Sequence, residues 1–318
     1  MTEWIFGIDG GGTSSRIRAE SLSGEALYTG SDGSTNPHSN DAGAVLAVLG
    51  RLVSGALSSG LDPRGCRAGF IGSAGVDIPK FRRSIAEALL AAFRSASGRA
   101  DLEPAFAAGN DAEPALVGAL GDIEGYLLIA GTGSIALGRT RAGDYVRSGG
   151  WGHFLGDEGS AFWIAFESVK RGIRSMEGRD APTGLLDEAV AFFGLPDAQA
   201  LIPFTYGNFS KARIASFAPK VALAAERGDE LARSVMDAAA GELAALASSV
   251  ARRLGERVTR KRIALYGGLL EKNRALRAAV GARIAAELPE LELVEPEGDA
   301  QAGACRLARE LLAQAKDS

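Results

Sequence analysis

The first turn of the chain brings together residue types that suit a phosphate group and a metal ion. An apolar run ends at Asp9, and Gly11, Gly12 and Thr13 follow after one further glycine. Because glycine lacks a Cβ and tolerates positive φ, this backbone can bend sharply and approach a ligand closely. Successive N–H groups in such a turn form a concave anion site, and Asp9 could hold a hydrated cation beside that anion. The combination predicts a turn that binds a metal–nucleotide complex.

Extended runs on both sides of this turn indicate a hairpin. The run 16–20 follows the turn, and a third run, 25–28, comes after a Ser-Gly pair. A Walker P-loop would need the Lys of G-x-x-x-x-G-K-[ST] and a helix directly after the turn, and the sequence offers neither. The alternative is an ordinary tight hairpin in which the Asp9 side chain accepts hydrogen bonds from its own backbone.

The opening pattern returns in the middle of the chain. An apolar strand over 126–130 breaks at Gly131, Thr132 and Gly133, and two more extended runs follow. Four positions recur at one constant spacing: Gly12, Thr13, Gly24 and Gly30 correspond to Gly131, Thr132, Gly143 and Gly149. We therefore predict two duplicated α/β halves, each with a phosphate-facing hairpin. A dinucleotide fingerprint over 131–136 is a poorer interpretation, because an extended run follows it where a helix is required.

Alternating strands and helices predict an α/β layer architecture. In the first half, a three-stranded meander is predicted over 4–30, strands over 68–73 and 104–108, and helices over 42–59, 80–95 and 112–120. In the second half, helices are predicted over 159–172, 185–193, 229–254, 275–288 and 304–315, and strands over 262–266 and 291–294.

Composition excludes several classes of protein. The chain has 318 residues, 46% of them apolar and 23% charged, which is enough for two globular domains with substantial cores. The net charge of −4 does not indicate the basic surface that a nucleic-acid-binding protein needs. We expect no signal peptide and no bilayer-spanning run. Two distant cysteines, Cys66 and Cys305, have no metal-binding spacing, so a reducing cytoplasmic location is expected.

Four further places could act chemically, and each has a simpler structural explanation. Asp111 ends a strand and opens a helix, where an N-cap carboxylate is common. Asp157 precedes a helix whose N-terminus favours acids, although this does not explain the glycine- and aromatic-rich loop before it. Asn36 stands before a proline, where asparagine forms turns, and Gly267-Gly268 could be a plain strand–helix turn.

Together these motifs resemble the sugar-kinase/heat-shock-70/actin superfamily. Within it the chain is most similar to N-acetylglucosamine and glucosamine kinases, whose family is shared with ATPase activators of acyl-CoA reductases and dehydratases. The resemblance rests on Gly7-Ile-Asp9-Gly-Gly-Gly-Thr13, Asn110-Asp111-Ala112, Ala130-Gly-Thr-Gly-Ser134, Gly149-Gly-Trp-Gly-His-Phe-Leu-Gly-Asp-Glu-Gly-Ser160 and Tyr266-Gly267-Gly268. It implies two duplicated ribonuclease-H-like (actin-like) ATPase domains of α/β class with an interdomain cleft. The N-terminal domain is expected over 1–117 with a closing helix at about 304–318, and the C-terminal domain over 118–303.

The resemblance also implies where ATP and Mg²⁺ bind. Asp9 is expected to hold Mg²⁺ through water, while the glycines and threonine of the first hairpin face the β- and γ-phosphates. The expected nucleotide-binding residues are Asp9, Gly11, Gly12, Thr13, Gly131, Thr132, Gly133, Gly267 and Gly268. The last two are expected near the adenosine.

By the same resemblance, Asp111 is the catalytic base, which accepts the proton of the sugar hydroxyl during phosphoryl transfer. Asp157 is expected to accept hydrogen bonds from sugar hydroxyls, and Asn36 to contact a further hydroxyl. The expected substrate-binding residues are Asn36, Asp111, Gly150, Trp151 and Asp157. His153 and Glu158 receive no role.

The predicted function is an ATP- and Mg²⁺-dependent kinase acting on the 6-hydroxyl of N-acetylglucosamine. Glucosamine is the alternative acceptor. An ATP-driven redox activator is a different class, which needs cysteines at a subunit interface for an iron–sulfur cluster. An actin- or chaperone-like ATP switch is a third class. The expected partner is a small-molecule amino sugar, with no nucleic acid and no membrane, and a homodimer stays open because family members are often dimers.

Overall fold

A computed structural model of the chain describes residues 2–76, 79–207 and 209–314. Within these residues it contains two five-stranded sheets with helices packed on them. The first sheet has the strands β1 (Trp4–Gly10), β2 (Ser14–Ser21), β3 (Ala26–Gly33), β4 (Cys66–Ser73) and β5 (Ala105–Asn110). The second has β6 (Gly125–Ala130), β7 (Ser134–Arg139), β8 (Tyr145–Gly149), β9 (Arg262–Tyr266) and β10 (Glu292–Val294). The predicted α/β fold class is confirmed.

The two sheets have the same strand order, which confirms the predicted duplication of the fold. The orders are β3-β2-β1-β4-β5 and β8-β7-β6-β9-β10. In the first sheet, β1 pairs antiparallel with β2 and parallel with β4, and in the second sheet β6 is parallel to β9. The corresponding glycines Gly24 and Gly143 both have positive φ, at 97° and 93°. Each donates its N–H over 3.0 Å to a carbonyl three residues earlier.

Helices follow the strands as the alternating pattern predicts, with some additions. They are α1 (Ala42–Ser58), α2 (Pro79–Ser97), α3 (Ala112–Leu120), α4 (Ala161–Met176), α5 (Leu185–Phe193), α6 (Leu201–Gly207), α7 (Lys211–Ala215), α8 (Ala218–Glu226), α9 (Glu230–Leu254), α10 (Gly268–Lys272), α11 (Arg274–Glu287) and α12 (Ala300–Gln314). The sequence pattern did not predict α6, α7, α8 and α10. The helix α12 begins at Ala300, earlier than the predicted 304, because the Asp299 carboxylate accepts the N–H of Ala302 over 2.9 Å. Residue 315, the predicted end of this helix, lies outside the described residues.

The chain divides into two compact units. The first comprises Met1–Gly125, Arg139–Gly143 and Glu295–Ser318, and the second comprises Tyr126–Gly138 and Asp144–Val294. The domain boundaries expected from the sequence stay a prediction. No helix among the described residues is both long and apolar enough to cross a membrane.

In the first unit, β1 is the central strand and is covered on both faces. Its residues Trp4, Ile5, Phe6 and Ile8 are all buried, as the continuous apolar run requires. On one face α12 lies so close to β1 that a Cβ on Gly7 would collide with the helix backbone. This packing fixes the end of β1, and therefore the turn that follows it.

In the second unit, the long helix α9 forms the centre of the core. Its buried face consists mainly of alanine and leucine, which allows close packing against α8 and α11. The strands β6 and β9 lie under this helical layer, with Leu128 and Leu265 fully buried. The rigid core holds the carboxyl ends of β6 and β9 at one edge of the sheet.

Candidate active site

The first hairpin lies at the carboxyl end of β1. Its loop is closed by the N–H of Gly11, which donates to the carbonyl of Ser14 over 2.9 Å. Asp9 pairs across the ladder with Arg16, whose Nη2 lies 2.7 Å from Asp9 Oδ2. The half-buried Asp9 carboxylate is thus held at the edge of the sheet, beside the exposed loop residues Gly12 and Thr13.

A buried cluster of hydroxyl groups attaches this hairpin to the loop that carries Asn36. Ser34 Oγ donates to the carbonyl of Gly11 over 3.0 Å. The fully buried Thr35 Oγ1 lies 3.1 Å from both Ser15 Oγ and Ser73 Oγ. A Cβ on Gly10 would collide with Thr35 Oγ1, so this close approach requires glycine. The sequence analysis missed these hydroxyl residues, because serine and threonine in loops carry no distinctive spacing.

Asn36 itself forms the turn that its position before a proline suggests. Its Oδ1 accepts the N–H of His38 over 2.9 Å, and its carbonyl accepts from Asn40 Nδ2 over 3.1 Å. The Nδ2 group makes no hydrogen bond within the described part of the chain. The side-chain amide therefore keeps a donor that a ligand could use.

Asp111 lies at the same sheet edge as the first hairpin. In the parallel ladders, Gly10 is opposite Ser73 and Ser73 is opposite Asn110, so β1, β4 and β5 end at one level. Asp9 is the penultimate residue of β1 and Asp111 directly follows β5. Since adjacent strands are about 4.8 Å apart, the ends of β1 and β5 are roughly 10 Å apart. This separation leaves room for a transferring phosphoryl group and its acceptor beside the two carboxylates.

The helix-cap explanation does not fit Asp111. Its side chain makes no capping hydrogen bond to α3, although it occupies the N-cap position. The neighbouring Asn110 takes that role, since its Oδ1 accepts the N–H of Ala112 over 2.9 Å. The buried Glu113 supports the strand end through the N–H of Asn110 and is paired with Arg82 at 2.6 Å. The Asp111 carboxylate therefore does not cap the N-terminus of α3.

The second hairpin is attached to the glycine-rich loop in the same manner. Ser134 donates its N–H to Asp157 Oδ1 over 3.1 Å and its Oγ to the carbonyl of Glu158 over 2.7 Å. The Ser134 carbonyl accepts the N–H of Gly150 over 3.0 Å. Each hairpin therefore rests on the loop that carries predicted sugar-binding residues.

The two hairpins differ in detail. Gly131 N–H bonds to the carbonyl of Gly133 over 2.9 Å, one residue nearer than the corresponding bond of the first hairpin. Counted from the strand ends, Thr132 occupies the middle of its loop, whereas Thr13 is the last residue of its own. The constant spacing between Thr13 and Thr132 in the sequence therefore does not make their local positions identical.

Asp157 has an unusual backbone and a buried carboxylate. It is 3% exposed, and it is the single non-glycine residue with positive φ (62°) in the part of the chain that the structure describes. Lys211 Nζ lies 2.6 Å from its Oδ2. The cap of α4 is Ser160, whose Oγ accepts the N–H of Trp163 over 3.2 Å. Asp157 is therefore not the cap of α4, and such backbone strain is typical of functional positions.

The loop before Asp157 presents an exposed aromatic side chain. Trp151 is 63% exposed, and the Arg147 guanidinium lies 4.7 Å from its ring centroid. Gly149, Gly150 and Gly152 all have positive φ, at 75°, 69° and 81°. This backbone path requires glycine, which explains the unusual composition of the loop.

A cavity of about 860 Å³ opens between the second hairpin and the turn after β9. Gly131 and Thr132 line one end of it and Gly268 another. Gly267 has φ 98°, and a Cβ there would lie 2.6 Å from the carbonyl oxygen of Ala130, so the two turns are in close contact. The remaining walls come from the start of α4, from α7 and α8, and from the α10–α11 region: Ala161, Ala212, Ala215, Ser216, Ala218, Pro219, Ala222, Leu223, Glu226, Leu269, Lys272, Asn273 and Arg274. The mixture of small apolar walls and a few polar groups suits a nucleoside.

A family model described as the BadF/BadG/BcrA/BcrD ATPase family matches residues 6–308. The chain belongs to this ATPase family. The resemblance stated from the sequence motifs is thereby confirmed, and the matched residues include both hairpins, Asp111 and the glycine-rich loop.

Several proteins similar to this chain are sugar kinases by name. An N-acetylmuramic acid/N-acetylglucosamine kinase from Clostridium acetobutylicum is 30% identical over 309 residues, which cover 96% of this chain and 98% of the relative. An N-acetyl-D-glucosamine kinase from Dictyostelium discoideum is 28% identical over 322 residues, which cover 97% of this chain and 98% of the relative. The chain is also similar to a crystal structure of a protein from Chromobacterium violaceum that is provisionally assigned as an N-acetylglucosamine kinase. The two sequences are 28% identical and the TM-score is 0.67, and the match covers 96% of this chain and 99% of the other.

Proposed function

We propose that this protein transfers the γ-phosphate of ATP to the 6-hydroxyl of N-acetylglucosamine. Its full-length similarity to kinases of amino sugars supports the general activity, an ATP-dependent amino-sugar kinase. The observation that carries the chemistry is the Asp111 carboxylate, which stands at the edge shared with the Asp9 hairpin and does not cap its helix.

The second unit provides the features that a nucleoside triphosphate needs. The cavity would take the adenosine, with Gly268 and the small side chains of α7 and α8 as walls and Gly267 next to Gly268 in the turn after β9. The hairpin Gly131–Gly133 would receive the phosphates, because its loop is exposed and opens on the cavity. In the first hairpin, Gly11, Gly12 and Thr13 would bind the β- and γ-phosphates.

The residues present fit a Mg²⁺ ion. Mg²⁺ prefers one or two carboxylates together with water and substrate phosphates. Asp9 supplies one such carboxylate at a hairpin, where Arg16 Nη2 lies 2.7 Å from its Oδ2. Asp9 would therefore hold the ion through water. When bound, the ion neutralises the negative charge of the phosphates.

Asp111 would act as the general base. Phosphoryl transfer to a hydroxyl requires an acceptor for the hydroxyl proton, placed in line with the γ-phosphate. Asn36, Gly150, Trp151 and Asp157 would orient the sugar. Trp151 is exposed enough to contact an N-acetyl group, which is the group that distinguishes N-acetylglucosamine from glucosamine.

The acceptor is tested by ADP release with N-acetylglucosamine, glucosamine, N-acetylmannosamine, N-acetylmuramic acid and glucose. N-acetylmuramic acid is included because the Clostridium relative is named for it. We expect the highest kcat/KM with N-acetylglucosamine, and no turnover with its 6-deoxy analogue. Turnover of the 6-deoxy analogue would refute the 6-hydroxyl assignment, and preference for glucosamine would favour the alternative acceptor. Sugar-independent ATP hydrolysis would favour an actin- or chaperone-like switch.

Filling the cavity should reduce nucleotide affinity. Ala222 lines the cavity. Ala225, on the same helix, lines an adjoining pocket that shares Ala222 with the cavity, but it does not line the cavity itself. We expect Ala222→Phe to weaken binding of ADP at least tenfold in calorimetry, because the added ring occupies nucleoside space. Ala225→Phe is the matched control and should change the affinity much less. Equal ADP affinity in both variants and the wild type would exclude this cavity as the nucleotide site.

Both thiols should resist modification in the native protein, which separates the kinase from a redox activator. Cys66 and Cys305 are buried, and burial raises the pKa of Cys66 above its usual range and that of Cys305 to about 12. Since the thiolate is the reactive and metal-binding form, neither suits an iron–sulfur cluster. We expect no reaction with an aromatic disulfide reagent until denaturant is added, while an exposed control, Ser58→Cys, reacts at once. Fast native labelling of either cysteine, or bound iron in the purified protein, would revive the activator class.

A further inference from the structure

The contact between Lys211 and Asp157 is not explained by the proposed roles. Lys211 is the first residue of α7, and its Nζ lies 2.6 Å from Asp157 Oδ2. The Asp157 side chain is 5% exposed and the Lys211 side chain 29%. A buried carboxylate is costly to keep ionised without a partner, and Lys211 is the partner that the described residues supply.

The pair lies directly behind the second hairpin. A Cβ on Gly133 would come 2.6 Å from Asp157 Oδ1 and 2.9 Å from Lys211 Nζ. Asp157 Oδ1 also accepts the N–H of Ser134. Asp157 therefore contacts the backbone of the loop that would receive the phosphates, and Lys211 Nζ lies where a side chain on Gly133 would be.

The charge at this position matters because ATP is anionic. An unpaired carboxylate behind Gly133 would repel a phosphate on the other side of the same loop. The Lys211 ammonium cancels that charge and holds Oδ2, which leaves Oδ1 directed at the N–H of Ser134. The next residue of α7, Ala212, lines the cavity, as does Ala215 one turn later. One short helix thus contributes to the nucleoside wall and neutralises the acid behind the phosphate loop.

We propose that Lys211 is a positioning residue for the triphosphate of the nucleotide, acting through Asp157 and the Gly133–Ser134 peptide. The inference rests on the proposed function. It predicts that the charge of Lys211 affects the binding of the phosphates and does not affect the binding of adenosine.

The test compares adenosine with a non-hydrolysable ATP analogue by calorimetry, without sugar. Lys211→Met keeps the length of the side chain and removes its charge. We expect it to lower the affinity for the ATP analogue at least tenfold and to change the affinity for adenosine by no more than about twofold. Lys211→Arg should retain most of the affinity. The exposed Lys220→Met, on the neighbouring helix α8, is the matched control and should behave as the wild type.

A double variant separates the charge effect from loss of structure. Lys211→Met combined with Asp157→Asn leaves no uncompensated charge behind the hairpin, so it should recover most of the affinity for the ATP analogue. Equal loss of adenosine and analogue affinity in Lys211→Met, without recovery in the double variant, would overturn the proposal. So would unchanged affinity for both ligands. If the wild type releases ADP in the presence of sugar and Lys211→Met binds the ATP analogue with normal affinity, this inference alone is refuted. If the wild type does not bind the ATP analogue, the proposed function is refuted as well.

Discussion

We expect Asp111→Asn to lower kcat by a factor of roughly 10²–10⁴, the usual contribution of a positioned general base. Asparagine has nearly the same shape, but its amide cannot accept the proton of the sugar hydroxyl. The fold should persist, because the side chain of Asp111 makes no capping bond to α3 and Asn110 supplies one. Steady-state kinetics of ADP release, with calorimetry of a non-hydrolysable ATP analogue, measures both parts of the expectation.

Asp41 provides the matched control for this prediction. It is a true N-cap, since its Oδ1 accepts the N–H of Ala44 over 2.8 Å at the start of α1. Asp41→Ala should lower the free energy of unfolding by about 1 kcal/mol and leave kcat unchanged. Asp111→Asn should show the reverse pattern. Near-normal kcat in Asp111→Asn would reduce Asp111 to a structural residue and leave the reaction without its proposed base.

We expect Gly303→Ala to lower the free energy of unfolding by about 1–3 kcal/mol, the usual cost of overpacking. The helices α12 and α3 cross at this glycine, and an added Cβ would overlap the carbonyl oxygen of Pro114. Since the obstacle is backbone, the helices must separate to accommodate a methyl group. Urea unfolding monitored by circular dichroism measures the change. Because α3 begins directly after Asp111, its displacement should also lower kcat, at temperatures where the variant is fully folded.

Gly50 supplies a control with the opposite sign. It lies inside α1, and a Cβ at this position would meet no atom within 4 Å. Gly50→Ala should therefore raise the free energy of unfolding by roughly 0.5–1 kcal/mol through helix propensity. Equal effects of the two substitutions would show that backbone flexibility, and not the crossing of α3 and α12, determines the response. If Gly303→Ala lowers the stability but leaves kcat unchanged, the crossing of α3 and α12 does not determine the position of Asp111.

The sequence determined the features that depend on neighbouring residues. The hairpin after β1, its second copy after β6 and the strand–helix junction at Asp111 were all predicted from local patterns of glycine, hydroxyl and apolar residues. The same patterns carried the resemblance to the family that the chain belongs to. Such features are readable because backbone conformation follows from residue type over a few positions.

Elements without a strong period escaped prediction. The helices α6 and α7 have seven and five residues, too few for an amphipathic pattern to appear. The helix α8 carries a proline in its first turn, and its alanines give little contrast between its faces. The helix α8 packs on α9 and the helix α7 on α4, and residues of α7 and α8 line the cavity.

Only the tertiary structure decided which side chains meet. Position in the sequence favoured a capping role for Asp111 and allowed one for Asp157, but Asn110 and Ser160 make the capping bonds. The partner of Asp157 is Lys211, 54 residues away in the chain. A pairing over such a distance leaves no local pattern, because the core brings the two residues together. The charge behind the phosphate hairpin is therefore a property of the folded second unit, although the hairpin itself is visible in the sequence.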